Sequence, residues 1–243
     1  MEGYTRRSFK ARMRNGHDAD HDVYERGVGP PIVLIQELPG IGPETLRLAE
    51  KLIAAGYKLV LPHLLGPLGR TATAGNLLRV LCMRREFRLF AANESSPIVD
   101  WLRKLCQQVR REANVAGVGV IGMCLSGNFA ITLMGDDSVL AAVASQPSLP
   151  GLHMDQGEIA ATRTRLTQVG PMLGFRFQGD RLCRAEKFAA IDATFNDQSA
   201  KRVRLDTLPG RGHAVLTIDF VDQAGHPTHA ALESVLAYFH ARL

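Results

Sequence analysis

The sequence predicts a mostly parallel β-sheet covered by helices on both faces, and three observations lead to that fold class. First, residues 31–35, 58–61 and 115–121 are short apolar runs without the polar alternation of a half-exposed strand. Second, segments with helical spacing of apolar residues lie between these runs from residue 31 onward. A βαβα order with both sheet faces covered is the usual way to bury such strands. Third, the chain has 243 residues, 46% of them hydrophobic and 22% charged. That is enough for one large core without a disulfide or metal staple. No composition shift, linker or repeat marks a second unit, so residues 1–243 are expected to form one domain.

Taken in order, residues 5–14 and 20–26 read as an antiparallel hairpin turning at Asn15-Gly16, a strong turn signal. The buried strand 31–35 ends at Pro39-Gly40. A helix over 43–55 follows, with Leu46, Ala49, Leu52 and Ile53 on one stripe and Gly56 as its stop. A strand over 58–61 ends at Pro62. Residues 66–93 do not fit this rhythm and are expected to form a partly helical, lid-like excursion over one end of the sheet. Helices are predicted over 97–112, 127–134, 156–168, 183–195 and 227–240. Strands are predicted over 115–121, 139–144, 172–177 and 202–205.

Composition narrows the function classes. The net charge is +5, but Lys and Arg are scattered without a run of five or six, so no nucleic-acid surface is expected. No apolar stretch approaches the roughly 20 residues of a membrane span. The basic residues of 1–15 lack the apolar core of a secretory leader. The four cysteines, Cys82, Cys106, Cys124 and Cys183, include no C-x-x-C pair. Free thiols in the reducing cytoplasm are the simplest reading. The run His17-Asp-Ala-Asp-His-Asp22 looks metal-like, but it lacks the glycine and late Glu of a calcium loop and reads as a solvated hairpin turn.

The most informative stretch is Val120-Ile-Gly122-Met-Cys124-Leu-Ser126-Gly127. A buried strand runs into small-x-Cys-x-small and then a helix. A strand-to-helix turn this tight admits only small flanking residues and thrusts its central side chain above the sheet edge. A cysteine there also sits at a helix N-terminus, whose dipole favours a thiolate. The Leu125 amide is then placed to donate to a developing oxyanion. Cys82, Cys106 and Cys183 lack this context and read as core thiols. Gly117-Val-Gly119-Val-Ile-Gly122 matches G-x-G-x-x-G letter for letter, but its first two glycines precede or lie within the strand. A dinucleotide loop must follow its strand, so no nucleotide site is expected.

A thiol nucleophile needs a base, and the base needs an orienting group. Asp180 follows the strand 172–177 in Gln178-Gly-Asp180, and His213 closes the Gly-rich turn Gly210-Arg-Gly-His213. The order nucleophile, acid, histidine at successive strand ends is that of the α/β-hydrolase fold. His63 could line the cleft or pack, and His226, His229 and His240 read as surface residues near the last helix.

With these residues in hand, the chain resembles the dienelactone hydrolase family from about residue 31 to 240. The stretches that carry the resemblance are Ile35-Gln-Glu37-Leu-Pro-Gly40, Gly122-Met-Cys124-Leu-Ser-Gly127, Gly179-Asp180 and Gly212-His213. The resemblance implies hydrolysis of an ester or lactone with no metal or organic cofactor. The expected partner is a small-molecule ester or lactone, and the chain is expected to be a monomer or homodimer. It also implies that Glu37 hydrogen-bonds the resting thiol until an anionic substrate displaces it. A carboxylate beside a thiol would keep it protonated and resistant to oxidation. The Leu38 amide would be the second oxyanion donor. Two departures stand out. The elbow has Ser126 where glycine is usual, and His213 is followed by Ala-Val-Leu-Thr, where a substrate-binding arginine would be sought. Arg79, Arg84, Arg85 and Arg88, in the expected excursion, are candidates to hold an acidic group instead. Sequence alone leaves two other readings: an acyl-transferase or thioesterase of the same fold, and a non-catalytic binding or redox-sensing relative.

Overall fold

The computed structural model describes residues 1–71, 96–149 and 151–243. Most of the expected excursion, with Cys82, Arg79, Arg84, Arg85 and Arg88, lies outside the described residues. The strands are β1 (Thr5–Arg12), β2 (Asp18–Arg26), β3 (Pro31–Ile35), β4 (Lys58–His63), β5 (Val118–Met123), β6 (Val139–Ser145), β7 (Met172–Phe177) and β8 (Val203–Leu208). The helices are α1 (Pro43–Ala54), α2 (Ile98–Ala113), α3 (Gly127–Leu133), α4 (Gln156–Val169), α5 (Ala185–Phe195) and α6 (Pro227–His240).

The described strands form one sheet in the order β1-β2-β4-β3-β5-β6-β7-β8. β1, β2 and β4 pair antiparallel, and every pairing from β4 onward is parallel. This is the predicted parallel sheet with an antiparallel hairpin at one edge. Alternation along β3 divides the core. Val33 and Ile35 pack on one face with Trp101, Leu105, Phe129 and Phe195, from α2, α3 and α5. Ile32 and Leu34 pack on the other with Leu48, Leu52, Val235 and Phe239, from α1 and α6. Helices on both faces explain why β3 is buried along its whole length.

The metal-like run His17–Asp22 belongs mostly to β2 rather than to a turn. Its acidic residues alternate with period two and face β1, where Lys10 pairs with Asp18, Ser8 hydrogen-bonds Asp20, and Arg6 pairs with Asp22 at 2.9 Å. Cross-strand charge pairing of this kind is how an antiparallel edge uses such a pattern. The hairpin loop is therefore longer than a two-residue Asn-Gly turn. It spans 13–17, closed by the Met13 amide on the His17 carbonyl at 2.8 Å.

Each glycine of the G-x-G-x-x-G match is explained by packing. A Cβ on Gly119 would lie 2.9 Å from the Phe239 ring of α6, and one on Gly117 would lie 2.6 Å from the Leu140 side chain. These glycines let a strand and its neighbours approach, and no phosphate loop is formed.

Candidate active site

β3, β5, β6, β7 and β8 are successive neighbours in the sheet, and their carboxyl ends lie side by side. Glu37, Cys124, Ser148, Asp180 and His213 each follow one of them. The topology thus gathers residues far apart in sequence at one edge, where ligands of open α/β sheets bind.

Cys124 opens a single 3-10 turn between β5 and α3. Its φ of 56° is in the left-handed region that a non-glycine residue adopts at a cost of about 1 kcal/mol or more. A Cβ on Gly122 would lie 2.1 Å from the Ser126 carbonyl oxygen, so only glycine fits the first small position. Ser126 is fully buried, and its hydroxyl accepts from the Met123 amide at 2.9 Å and lies 2.9 Å from the Met123 carbonyl. A glycine there would supply no such staple, which gives the sequence departure a physical purpose. Cys124 itself is 7% exposed, and its Sγ lies 3.2 Å from Ser148 Oγ.

Asp180 and His213 are brought together as expected. Asp180 Oδ2 lies 2.8 Å from His213 Nδ1. The other carboxylate oxygen, Oδ1, accepts from the amides of Leu182 at 2.8 Å and Cys183 at 2.9 Å. Burial raises the pKa of this carboxyl, but the hydrogen bonds from His213 and the two amides outweigh it and hold the group below its ordinary value. The histidine loop has its own anchor in Asp219, whose Oδ2 accepts from the amides of His213 at 2.8 Å and Ala214 at 2.9 Å.

His213 Nε2 is buried and has no hydrogen-bond partner among the described residues. Burial disfavours a charged imidazole, but Asp180 and the nearby Cys124 sulfur dominate and push its pKa from 6.5 up to about 10, although no hydrogen bond of ordinary length joins Nε2 to that sulfur. An imidazole so placed readily carries a proton.

The sign of that shift gives a stability prediction. A folded-state pKa raised above the unfolded value contributes stability that is complete below pH 6.5 and is lost as pH rises through about 10. The thermal stability advantage of the wild type over His213→Gln should therefore shrink as pH increases from about 6 to about 10. A gap that stays constant or widens with pH would contradict the charged-histidine assignment.

Glu37 is where the structure departs from the resemblance. Its carboxyl is buried, with Oε1 bonded to the Thr217 hydroxyl at 2.5 Å and Oε2 lying 3.5 Å from the Gln146 side-chain amide. Among the described residues the thiol's hydrogen bond goes to Ser148 instead, and no arginine or lysine pairs with Glu37. With both of its oxygens engaged elsewhere, Glu37 does not hold the thiol in this structure. Burial, the leading influence, raises the Glu37 pKa against the opposing effects of Thr217 and His213.

Leu38 and Leu125 lie just past the ends of adjoining strands. β3 and β5 are in register at Ile35 and Gly122, and each leucine is three residues further on. His63 packs rather than lining this edge, with Nε2 2.7 Å from the Gly66 carbonyl and its ring against Tyr24. Ser148, Gln146, Thr217 and Asp219 were not singled out from the sequence. None belongs to a motif, and only the pairing of strands brings them to the site. Beside His213 and Asp180 an open cleft of about 450 Å³ is flanked by Arg181, Leu182 and Arg211. Among the described residues neither arginine is paired with a carboxylate.

Solved structures of the same fold span nearly the whole chain. One is a candidate dienelactone hydrolase from Klebsiella pneumoniae subsp. pneumoniae, at 14% identity and TM-score 0.67, covering 97% of this chain and 99% of that one. Another is a dienelactone hydrolase-like promiscuous phosphotriesterase from metagenomic libraries, at 14% identity and TM-score 0.65, covering 98% of each chain. A third is a cold-adapted esterase from an Arctic intertidal metagenomic library, at 15% identity and TM-score 0.62, covering all of this chain and 96% of that one. A search of curated protein sequences gave no significant match. At these identities the likeness speaks to fold, and the sequence itself carries the assignment further. The dienelactone hydrolase family model matches residues 23–241, nearly the full length, and the chain belongs to that family.

Proposed function

We propose that this hydrolase of the dienelactone hydrolase type cleaves carboxylic esters or lactones with Cys124 as nucleophile, His213 as base and Asp180 as the orienting acid. The observation that supports it most is the pairing of Asp180 with Nδ1 while buried Nε2, beside the elbow thiol, has no hydrogen-bond partner among the described residues. Sγ gives its proton to Nε2, whose raised pKa favours holding it, and the result is a thiolate beside an imidazolium that Asp180 stabilises. The thiolate adds to the carbonyl carbon, and the carbonyl π pair moves onto oxygen, where the amides of Leu38 and Leu125 would receive it. Collapse expels the alcohol oxygen, which takes the proton from Nε2. Water then attacks the thioester, giving a proton back to His213, and the acid leaves as the Cys124–acyl bond breaks. Glu37 serves this chemistry from behind, holding the histidine loop through Thr217.

The reading extends to substrate class. Arg181 and Arg211 flank the cleft beside His213, where the sequence offered no arginine after the histidine. Two guanidinium groups without a carboxylate partner among the described residues would hold an acidic group of the substrate. Arg181→Ala and Arg211→Ala are expected to raise KM for acid-bearing esters about ten-fold each and to leave neutral esters alone. Equal effects on both substrate kinds, or none, would remove that role. The reaction itself is tested with p-nitrophenyl esters, thioesters and unsaturated lactones, assayed with wild type and Cys124→Ala. Hydrolysis of none of these oxygen esters or lactones by the wild type would defeat the proposal, and preference for thioesters would move it to a thioesterase.

A further inference from the structure

Among the described residues the hydrogen bond to the Cys124 sulfur comes from Ser148, which no motif marks. Its Oγ lies 3.2 Å from Sγ, and its backbone amide donates to the Cys124 carbonyl at 3.1 Å. Among the described residues the hydroxyl has no other partner. A serine hydroxyl both donates and accepts, so either group can be the donor in this contact. With the thiol protonated, S–H can donate to Oγ. Once the sulfur has lost its proton, only the hydroxyl can donate, and a hydrogen bond to a charged acceptor is the stronger kind.

The loop that carries Ser148 is held from two directions. Its start is fixed by the buried residue Gln146, at φ 39°, whose amide donates to the Phe175 carbonyl. Further along, the Asn128 side-chain amide of α3 donates to the carbonyls of Gly151 at 3.3 Å and Leu152 at 3.1 Å. Lys187 of α5 is buried, and its Nζ donates to the Leu149 carbonyl at 3.0 Å and to the Gly151 carbonyl. A lysine spent on two backbone carbonyls inside the protein is costly to desolvate and is best explained by the position it enforces.

We propose that Ser148 is a catalytic residue whose hydroxyl reverses its hydrogen bond as Cys124 loses its proton and so stabilises the thiolate, with Lys187 as the positioning residue of its loop. The division of labour is chemical. His213 Nε2 accepts the thiol proton, and Ser148 supplies a donor to the sulfur left behind without competing for that nitrogen. The inference rests on Cys124 as the nucleophile, and its test is chosen to be separable from that reading.

The test is the alkylation rate of Cys124 by iodoacetamide against pH, read by peptide mass spectrometry so that Cys82, Cys106 and Cys183 are counted separately. In Ser148→Ala the rate near pH 7 should fall about ten-fold relative to its high-pH plateau. Ser148→Thr, which keeps the hydroxyl, should restore most of it. An unchanged or faster profile in Ser148→Ala overturns the proposal, because a purely structural serine would not move the pH dependence. Lys187→Met should shift the profile the same way, and Ser148→Ala combined with Lys187→Met should shift it no further than Ser148→Ala alone. Additive shifts would overturn the positioning role, since Lys187 would then act on the thiol by itself. Ester turnover by Cys124→Ala, assayed in parallel, reports on the nucleophile alone and leaves the alkylation comparison standing.

Discussion

Replacing Cys124 with alanine is expected to lower ester turnover by about 10⁴-fold or more while leaving the fold intact. The loss is large because the covalent step has no substitute. Among the described residues no second thiol sits on an elbow at the catalytic edge. Cys183 is fully buried, and its thiol is pushed up to about 12, chiefly by burial, so it is an inert core group. The fold should survive because Ala keeps the Cβ that already occupies the left-handed conformation at φ 56°, so the backbone strain is unchanged. The tightness of the turn lies with Gly122 and Ser126, which are untouched. Loss of the Ser148–Sγ contact removes a hydrogen bond worth about 1 kcal/mol, too little to unfold a domain of this size. The measurement is kcat/KM on the best ester with circular dichroism as the fold control. Turnover within ten-fold of wild type would end the nucleophile assignment.

The elbow was legible because its chemistry and its geometry share one short segment. Gly122, Cys124 and Ser126 sit within five residues, and steric limits on a strand-to-helix turn restrict what those residues can be. Asp180 and His213 were legible for a weaker reason. Each follows a strand readable from apolar runs, and the order of the three is a property of the fold. Sequence reasoning could not find Ser148, because its approach to Cys124 depends on β6 pairing with β5, with Ser145 opposite Met123. Nor could it find Asp219, which acts only through two backbone amides of the histidine loop. Glu37 shows a different limit. Its position at a strand end and its burial fit a site residue, but its partner was decided by Thr217 and Gln146, which reach it from elsewhere in the chain. At the edge the second strand starts at Asp18, two residues before the predicted 20–26, because the acids of the run alternate with period two toward β1 rather than turning.

Asp180→Asn should cost about 10³–10⁴-fold in kcat with little change in KM, the loss seen when a triad histidine is held in the wrong tautomer. The argument runs through the two oxygens of the carboxylate. Oδ1 accepts from the amides of Leu182 and Cys183, so an asparagine would keep its single oxygen there to satisfy both donors. Its NH₂ group would then face His213 Nδ1, at the position from which Oδ2 now contacts the ring at 2.8 Å. An NH₂ can only donate to that nitrogen, which forces Nδ1 to accept and moves the imidazole proton to Nε2. Nε2 is the atom that must take the thiol proton, so the base would be blocked while the loop kept its shape. The same substitution removes the negative charge that helps raise the His213 pKa to about 10. Two measurements separate this from simple unfolding: an unchanged thermal midpoint to within a few degrees, and an imidazole nitrogen signal that changes from protonated on both nitrogens to protonated on Nε2 alone. A variant that stays folded, keeps the Nδ1 proton and retains more than about a tenth of wild-type turnover would remove Asp180 from the mechanism.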